Sequence, residues 1–167
     1  MNRICSVLVV FVSVLMVFAE VGPRHLEKAG GFSFCAPEGW DFREFPGMKF
    51  KIAFGTPADN FCPNINVVDE ASAVELKSYV DNNIAGMEKM FQEFKLISRK
   101  KLTAGKKLEG EVVVTNALQQ GNLLRQTFFF FKGKGGRFFV ATCSCLEKDG
   151  DRFAPVFEES LKTFAVR

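Results

Sequence analysis

Phe128, Phe129, Phe130 and Phe131 are consecutive, and Phe138, Phe139 and Val140 follow beyond the turn Lys132-Gly133-Lys134-Gly135-Gly136. Successive side chains of a strand point to opposite faces, so an unbroken apolar run makes a strand that is apolar on both sides. Both sides then need covering. Read as a pair of strands around that turn, Leu123 to Leu146 belongs in the middle of a sheet. The rest of the chain supplies a pair of amphipathic helical patterns, and a helix on each face is the simplest cover. The expected class is α+β, an antiparallel β-sheet of about six to seven strands with helices packed on both faces, an α/β/α sandwich.

Composition supports a single core. At 167 residues and 47% hydrophobic, the chain fits one domain. Its 20 phenylalanines stand against 1 Trp and 1 Tyr, and Phe brings apolar area without a polar handle, which suits packing better than base stacking. The 22 basic and 19 acidic side chains leave +3, too small and too evenly spread for a nucleic-acid surface.

The first residues have their own logic. Arg3 precedes an apolar run from Ile4 to Phe18, and Val17-Phe18-Ala19 ends in small residues where a signal peptidase reads. Residues 1–19 are expected to be a signal peptide cut before Glu20, which sends the protein to the periplasm or outside the cell. The run is shorter than the roughly 20 residues of a membrane span, so an uncleaved anchor is the lesser alternative. No Cys follows the cut to accept a lipid. Residues 20–30 read as a flexible lead-in, with 31–167 as the domain. The only histidine, His25, falls in that lead-in as a solvated residue, which makes a Ser-His-Asp triad or a multi-histidine metal site hard to build.

Along the domain, Phe32 to Ala36 alternates as a strand and stops at Pro37-Glu38-Gly39-Trp40. Met48 to Gly55 reads as a half-buried strand, and Asn64 to Asp69 as another. Ser72-Ala73-Val74-Glu75 matches a capping box, and Leu76, Tyr79, Val80, Ile84, Met87 and Phe91 draw one stripe down a helix ending near Met90. Phe94 to Ala104 and Lys107 to Ala117 are further strands. A second helix begins near Asp151 with Phe153, Phe157, Leu161 and Phe164 on one face, provided that Pro155 lies in its first turn.

Two basic stretches are candidate contacts with a protein or a membrane surface. One is the hairpin turn with Lys132, Lys134 and Arg137, which lacks the spacing and the following helix of a phosphate loop. The other is Arg99, Lys100 and Lys101 on an expected edge strand, where positive charge also blocks pairing between molecules. Cys35, Cys62, Cys143 and Cys145 remain after signal removal, an even set that makes structural disulfides of open pairing the default in an oxidising compartment. Cys143 and Cys145 are separated by about two rises of 3.3 Å, near the limit of about 6.8 Å for a bonded pair, so bonds to Cys35 or Cys62 are preferred. The alternative is a thiol-redox or metal-binding site built on Cys143 and Cys145. No nucleophile and base come together, so no enzyme activity, cofactor or small-molecule ligand is expected.

Phe32-Ser33-Phe34 leading to Pro37-Glu38-Gly39-Trp40, then Asn64-Ile65-Asn66-Val67, a long helix, a strand meander and a last helix ending Ser160-Leu161-Lys162-Thr163-Phe164 resembles the DcrB/PsbP-like family. Members of this fold include exported bacterial proteins, extrinsic subunits of the photosynthetic oxygen-evolving complex and a Ran-binding nuclear import factor. The resemblance implies an antiparallel sheet between helices that acts as a non-enzymatic docking or assembly module. This chain departs from the DcrB type in lacking a lipidated Cys, and from many relatives in its mature cysteines.

Overall fold

The structure, a computed structural model, describes residues 20–167, so the signal-peptide reading of residues 1–19 lies outside the described residues. In chain order the elements are β1 (Val21–Glu27), β2 (Phe32–Pro37), β3 (Asp41–Arg43), β4 (Ile52–Phe54), β5 (Asn64–Ala71) and α1 (Leu76–Met90). There follow β6 (Gln92–Ala104), β7 (Leu108–Gln119), β8 (Asn122–Lys132), β9 (Arg137–Leu146), α2 (Gly150–Lys162) and β10 (Ala165–Val166). They form a seven-stranded sheet in the order β3-β4-β5-β9-β8-β7-β6 and a three-stranded sheet in the order β1-β2-β10. Every pairing is antiparallel. The class is α+β.

The phenylalanine hairpin lies inside the large sheet, with β5 beyond β9 and β7 beyond β8. Its alternation sorts the rings between two cores. Phe128, Phe130, Phe138 and Val140 join Val113 and the α1 residues Tyr79, Val80 and Met87. On the other face Phe129, Phe131, Phe139 and Ala141 join Phe32 and Phe34 of β2, Phe157 and Leu161 of α2, and Phe164. Tyr79 stacks on Phe138 at 4.1 Å between centroids. Gly110 of β7 lies where a Cβ would come within 2.5 Å of the Phe130 carbonyl oxygen, so the Phe ladder leaves no room for a side chain there. Gln120 and Gly121, both at positive φ, make the two-residue turn from β7 to β8 whose twist suits a hairpin.

Several expectations are corrected. Helices alone do not cover the two faces of the large sheet as expected. One face carries α1, whereas the opposite one is shared between the small sheet and α2, because β2 is apolar at Phe32, Phe34 and Ala36 and packs inward. The sandwich with helices outside is therefore replaced by two unequal sheets with two α-helices. The flexible lead-in is instead β1, paired with β2 and tied by Arg24 Nη1 to the Thr163 carbonyl oxygen at 2.9 Å. Met48 to Gly55 yields a strand only at Ile52–Phe54. The capping box does not form: Glu75 is the N-cap of α1 without a side-chain bond. Asp149, not Asp151, precedes α2, and Pro155 lies beyond its first turn.

Phe164 joins the parts. It is fully buried, stacks on Phe131 at 4.6 Å and meets Phe32, Phe34 and Phe139 at 5.4, 6.4 and 5.9 Å. Phe164→Ala is expected to lower unfolding free energy by about 3–5 kcal/mol, read from the urea midpoint at unchanged slope. Phe164→Leu, which keeps most of the volume, should cost well under half as much.

Candidate interaction surface

The long strand β6 ends the seven-stranded sheet, and its outer edge is uncovered. Its basic residues divide their work. Arg99 and Lys100, being adjacent, point to opposite faces. Arg99 reaches Asp81 of α1 at 2.5 Å and Glu111 of β7 at 2.5 Å, while Lys100 reaches Glu158 of α2 at 2.6 Å. These partners raise the Arg99 pKa, Glu111 first and then Asp81, and the Lys100 contact leads the causes that hold Glu158 below its ordinary value. Lys95 and Lys101 are exposed and make no ion pair among the described residues. A groove of about 460 Å³ runs beside the strand, between Leu76 and Lys77 of α1 and Arg99, Lys101, Leu102 and Thr103 of β6.

The hairpin cations are not brought together with those of β6. Lys132 pairs with Glu75 at the start of α1 at 2.9 Å, and its Nζ lies 5.9 Å from the Phe138 ring. Arg137 donates through Nε to Asp69 at 2.8 Å and covers Phe139. Burial opposes ionisation of Asp69, whose side chain is 7% exposed, but Lys49 and Arg137 together hold its carboxyl below the ordinary range. Of the basic residues singled out in this turn, Lys134 alone is exposed and makes no ion pair among the described residues. The spread of partners follows from the sheet. Each paired cation neutralises an acid on the neighbouring strand or on the element lying over its own face.

No known protein family matches the sequence, and no curated protein matches it either. Solved structures do. Cyanobacterial PsbP (CyanoP) from Synechocystis sp. PCC 6803 superposes with a TM-score of 0.65 at 12% identity, over 87% of this chain and 92% of that one. LpqN, described as involved in cell envelope biogenesis of Mycobacterium tuberculosis, gives 0.60 at 12% identity over 81% and 82% of the respective chains. PA94, a protein of unknown function from Pseudomonas aeruginosa, gives 0.57 at 15% identity over 87% and 96%. The chain has a PsbP-like fold. At these identities the likeness is one of backbone architecture, so functional residues must be argued from this chain alone.

Within the PsbP-like fold the cysteines act as packing. All four among the described residues are free thiols, and no disulfide joins them in the structure. Strand parity sets Cys35 apart: Phe32, Phe34 and Ala36 turn β2 toward the core that holds Cys143 and Cys145, so Cys35 between them points away. Cys35 is used through its backbone, its N–H donating to Thr163 Oγ1 at 2.8 Å and its carbonyl accepting from Ser160 Oγ at 2.6 Å. Cys62 Sγ donates to the Gly55 carbonyl at 3.2 Å. Burial pushes the Cys143 thiol well above its ordinary value, and burial with Asp149 nearby pushes Cys145 up to about 12. Neither presents the thiolate that exchange or soft-metal binding uses. Among the described residues no group of three or more His, Cys, Asp or Glu side chains converges as a metal cage.

Sequence reasoning missed two features. His25 is not a solvated tail residue: it stacks on Phe42 at 3.9 Å, its Nε2 is buried without a hydrogen bond, and Glu27 lies 3.8 Å away. Its strand Val21–Glu27 contains Gly22 and Pro23, which concealed it. Arg125 is the other. It donates through Nε to Asn116 Oδ1 at 2.6 Å and spans Glu147 and Asp151, pressing on Gly150 at the start of α2 so closely that a Cβ there would meet its guanidinium at 2.9 Å. The lone cation ahead of the Phe run was the signal for it.

Both the thiols and His25 give measurable consequences. In native protein without reductant, Cys143 and Cys145 should resist iodoacetamide, and after denaturation all four thiols should alkylate, as counted by intact mass. Uptake of two fewer labels would mean a disulfide. Burial lowers the His25 pKa from 6.5, against the raising effect of Glu27 and with Lys51 adding to the lowering. The unfolded chain therefore binds the proton more readily, so stability is full above 6.5 and declines as pH falls through the interval down to the lowered folded value. His25→Phe should flatten the urea midpoint in that interval. Asp69, whose shift begins only below its ordinary 3.8, should leave the interval unaffected.

Proposed function

We propose that this protein is an exported, non-enzymatic interaction or assembly module of the DcrB/PsbP-like type, docking on a protein partner through its basic edge. The observation that carries the reading is β6: thirteen residues long, last in the sheet, uncovered, and bearing the unpaired cations Lys95 and Lys101. A strand in that position offers backbone groups and charge to another molecule, and neither is consumed by the fold.

Export is supported by the basic residue, apolar run and small residues that precede Glu20. Among the described residues no helix is long and apolar enough to cross a membrane. LpqN, one of the structures sharing the fold, is described as acting in cell envelope biogenesis, which fits a role outside the cytoplasm. A thiol-redox or metal-binding role for Cys143 and Cys145 gains nothing from their burial and raised pKa values.

The test is intact mass of the protein recovered from its own host, followed by cross-linking in the intact cell. A chain starting at Glu20 and a cross-linked protein product that fades as salt rises from about 0.1 to 1 M, where the screening length drops from about 10 to 3 Å, are expected. Recovery of an uncut chain in the cytoplasm, or a product indifferent to salt, would sink the proposal.

A further inference from the structure

We infer that the outer edge of β6 from Ser98 to Thr103 binds an acidic, extended segment of a partner protein as an additional strand of the large sheet. The inference rests on the docking reading above and names the partner's chemistry.

Edge geometry narrows the place. The opposite edge, β3, has three residues, too few to hold a partner strand. The register of β6 against β7 shifts between Gln92 and Lys95 and again between Leu96 and Ser98, and such bulges spoil a strand as a template. From Ser98 to Ala104 the pairing runs without a break, Ser98 opposite Val114 and Ala104 opposite Leu108. One edge of that stretch is satisfied by β7. Up to Thr103, alternate residues on the other edge present N–H and C=O groups to solvent at the spacing an incoming strand needs; beyond it Ala104 is fully buried and the Gly105 N–H is taken by the Lys162 carbonyl at 2.8 Å.

Charge selects the occupant. Ser98 to Ala104 contains Arg99, Lys100 and Lys101 and no acid. A second copy pairing antiparallel about Lys100 would set Lys100 against Lys100 and Arg99 against Lys101. Pairing about Lys101 sets Lys101 against itself. Like charges directly opposite are destabilising, so the edge refuses its own kind and favours a strand carrying Asp or Glu. Lys101 is the free cation for it; Lys77 across the groove is already paired with Asp81 at 2.7 Å. Two acids line the groove as well: Glu111 is held by Arg99 at 2.5 Å, whereas Glu109, opposite Thr103 on β7, is exposed and makes no ion pair among the described residues, so the attraction centres on Lys101 and not on the Thr103 end.

The groove supplies the rest of the site. Its volume of about 460 Å³ beside Leu76 and Lys101 has room for side chains of the added strand, an acid toward Lys101 and an apolar group toward Leu76, while the Leu102 side chain packs on the opposite face. The face toward α2 presents Lys100, already paired with Glu158 at 2.6 Å, and should contribute less.

A fluorescein-labelled peptide of alternating Glu and Val tests this by anisotropy at low salt, with amide exchange as the second readout. Binding is expected, with new protection on alternate amides between Ser98 and Thr103. Methylating the peptide's amides along one edge leaves its charge intact but should weaken binding by at least about tenfold, because strand pairing is lost. Lys101→Glu, an exposed change checked by circular dichroism, should weaken it similarly, whereas Lys95→Glu, outside the regular stretch, should change it little. Equal affinity for the methylated peptide, protection confined to the turn around Lys134, or no binding at low salt would overturn the inference. If any of these occurs while the salt-sensitive cross-linked product persists, the docking reading survives and strand addition alone falls. Loss of both rejects both.

Discussion

The two-sided apolar ladder of β8 and β9 is the constraint from which the architecture follows. A strand buried on one face can sit at a margin, but Phe128 to Phe131 place bulky rings on both faces at successive positions. Each ring is worth roughly 1.5–3 kcal/mol once it leaves water, so neither face can remain bare. This forces β8 and β9 inward, with β7 and β5 beyond them, and demands a cover on each side. The short strand β10 and the bend at Phe164 follow from the second cover, because Phe164 fills the gap among Phe32, Phe131 and Phe139 that the three-stranded sheet leaves.

Ionic contacts belong to a different level of the hierarchy. Arg99, Lys100 and Lys132 each link the large sheet to a helix or its N-cap, but exposed pairs contribute only about 0–1 kcal/mol each. They orient helices that apolar burial has already brought to the sheet. The pairs formed with the helices and across strands leave Lys95, Lys101 and Lys134 exposed and unpaired among the described residues. Charge runs in the sequence thus separate, once folded, into struts and free groups, and only the second kind is available to a partner.

Elements whose apolar pattern is local were legible from residues alone. The stripe Leu76, Tyr79, Val80, Ile84, Met87 gave α1, and the Phe runs gave β8 and β9 with their turn. What escaped depends on contacts distant in sequence. β1 carries Gly22 and Pro23 and becomes a strand only because β2 offers it a ladder and Thr163 accepts from Arg24. β10 is two residues long and pairs with a strand more than a hundred residues earlier. Ser72 had the right spacing for a cap, yet the helix starts at Leu76 with Glu75 as N-cap, and the Ser72 N–H that a capping box would give to Glu75 is taken by the Gly136 carbonyl at 2.8 Å. For the cysteines, an even number says less than position does. Parity of position, with Cys35 between Phe34 and Ala36, argued that its sulfur faces away from the others.

Strong burial at the centre and weak pairing at the rim together locate where specificity can reside. Chains that share this backbone at such low identity share the need to cover a sheet, and core side chains can be exchanged so long as volume and pattern are kept. The rim answers to no such rule. At β6 Arg99 and Lys100 are tied to Asp81, Glu111 and Glu158, but Lys101 pairs with nothing among the described residues, so its identity is free to serve solubility, self-exclusion or recognition. Lysine on an edge serves the first two at once. An edge that excludes itself by charge also becomes selective, because the repulsion that stops a second copy turns into attraction for a strand of opposite sign.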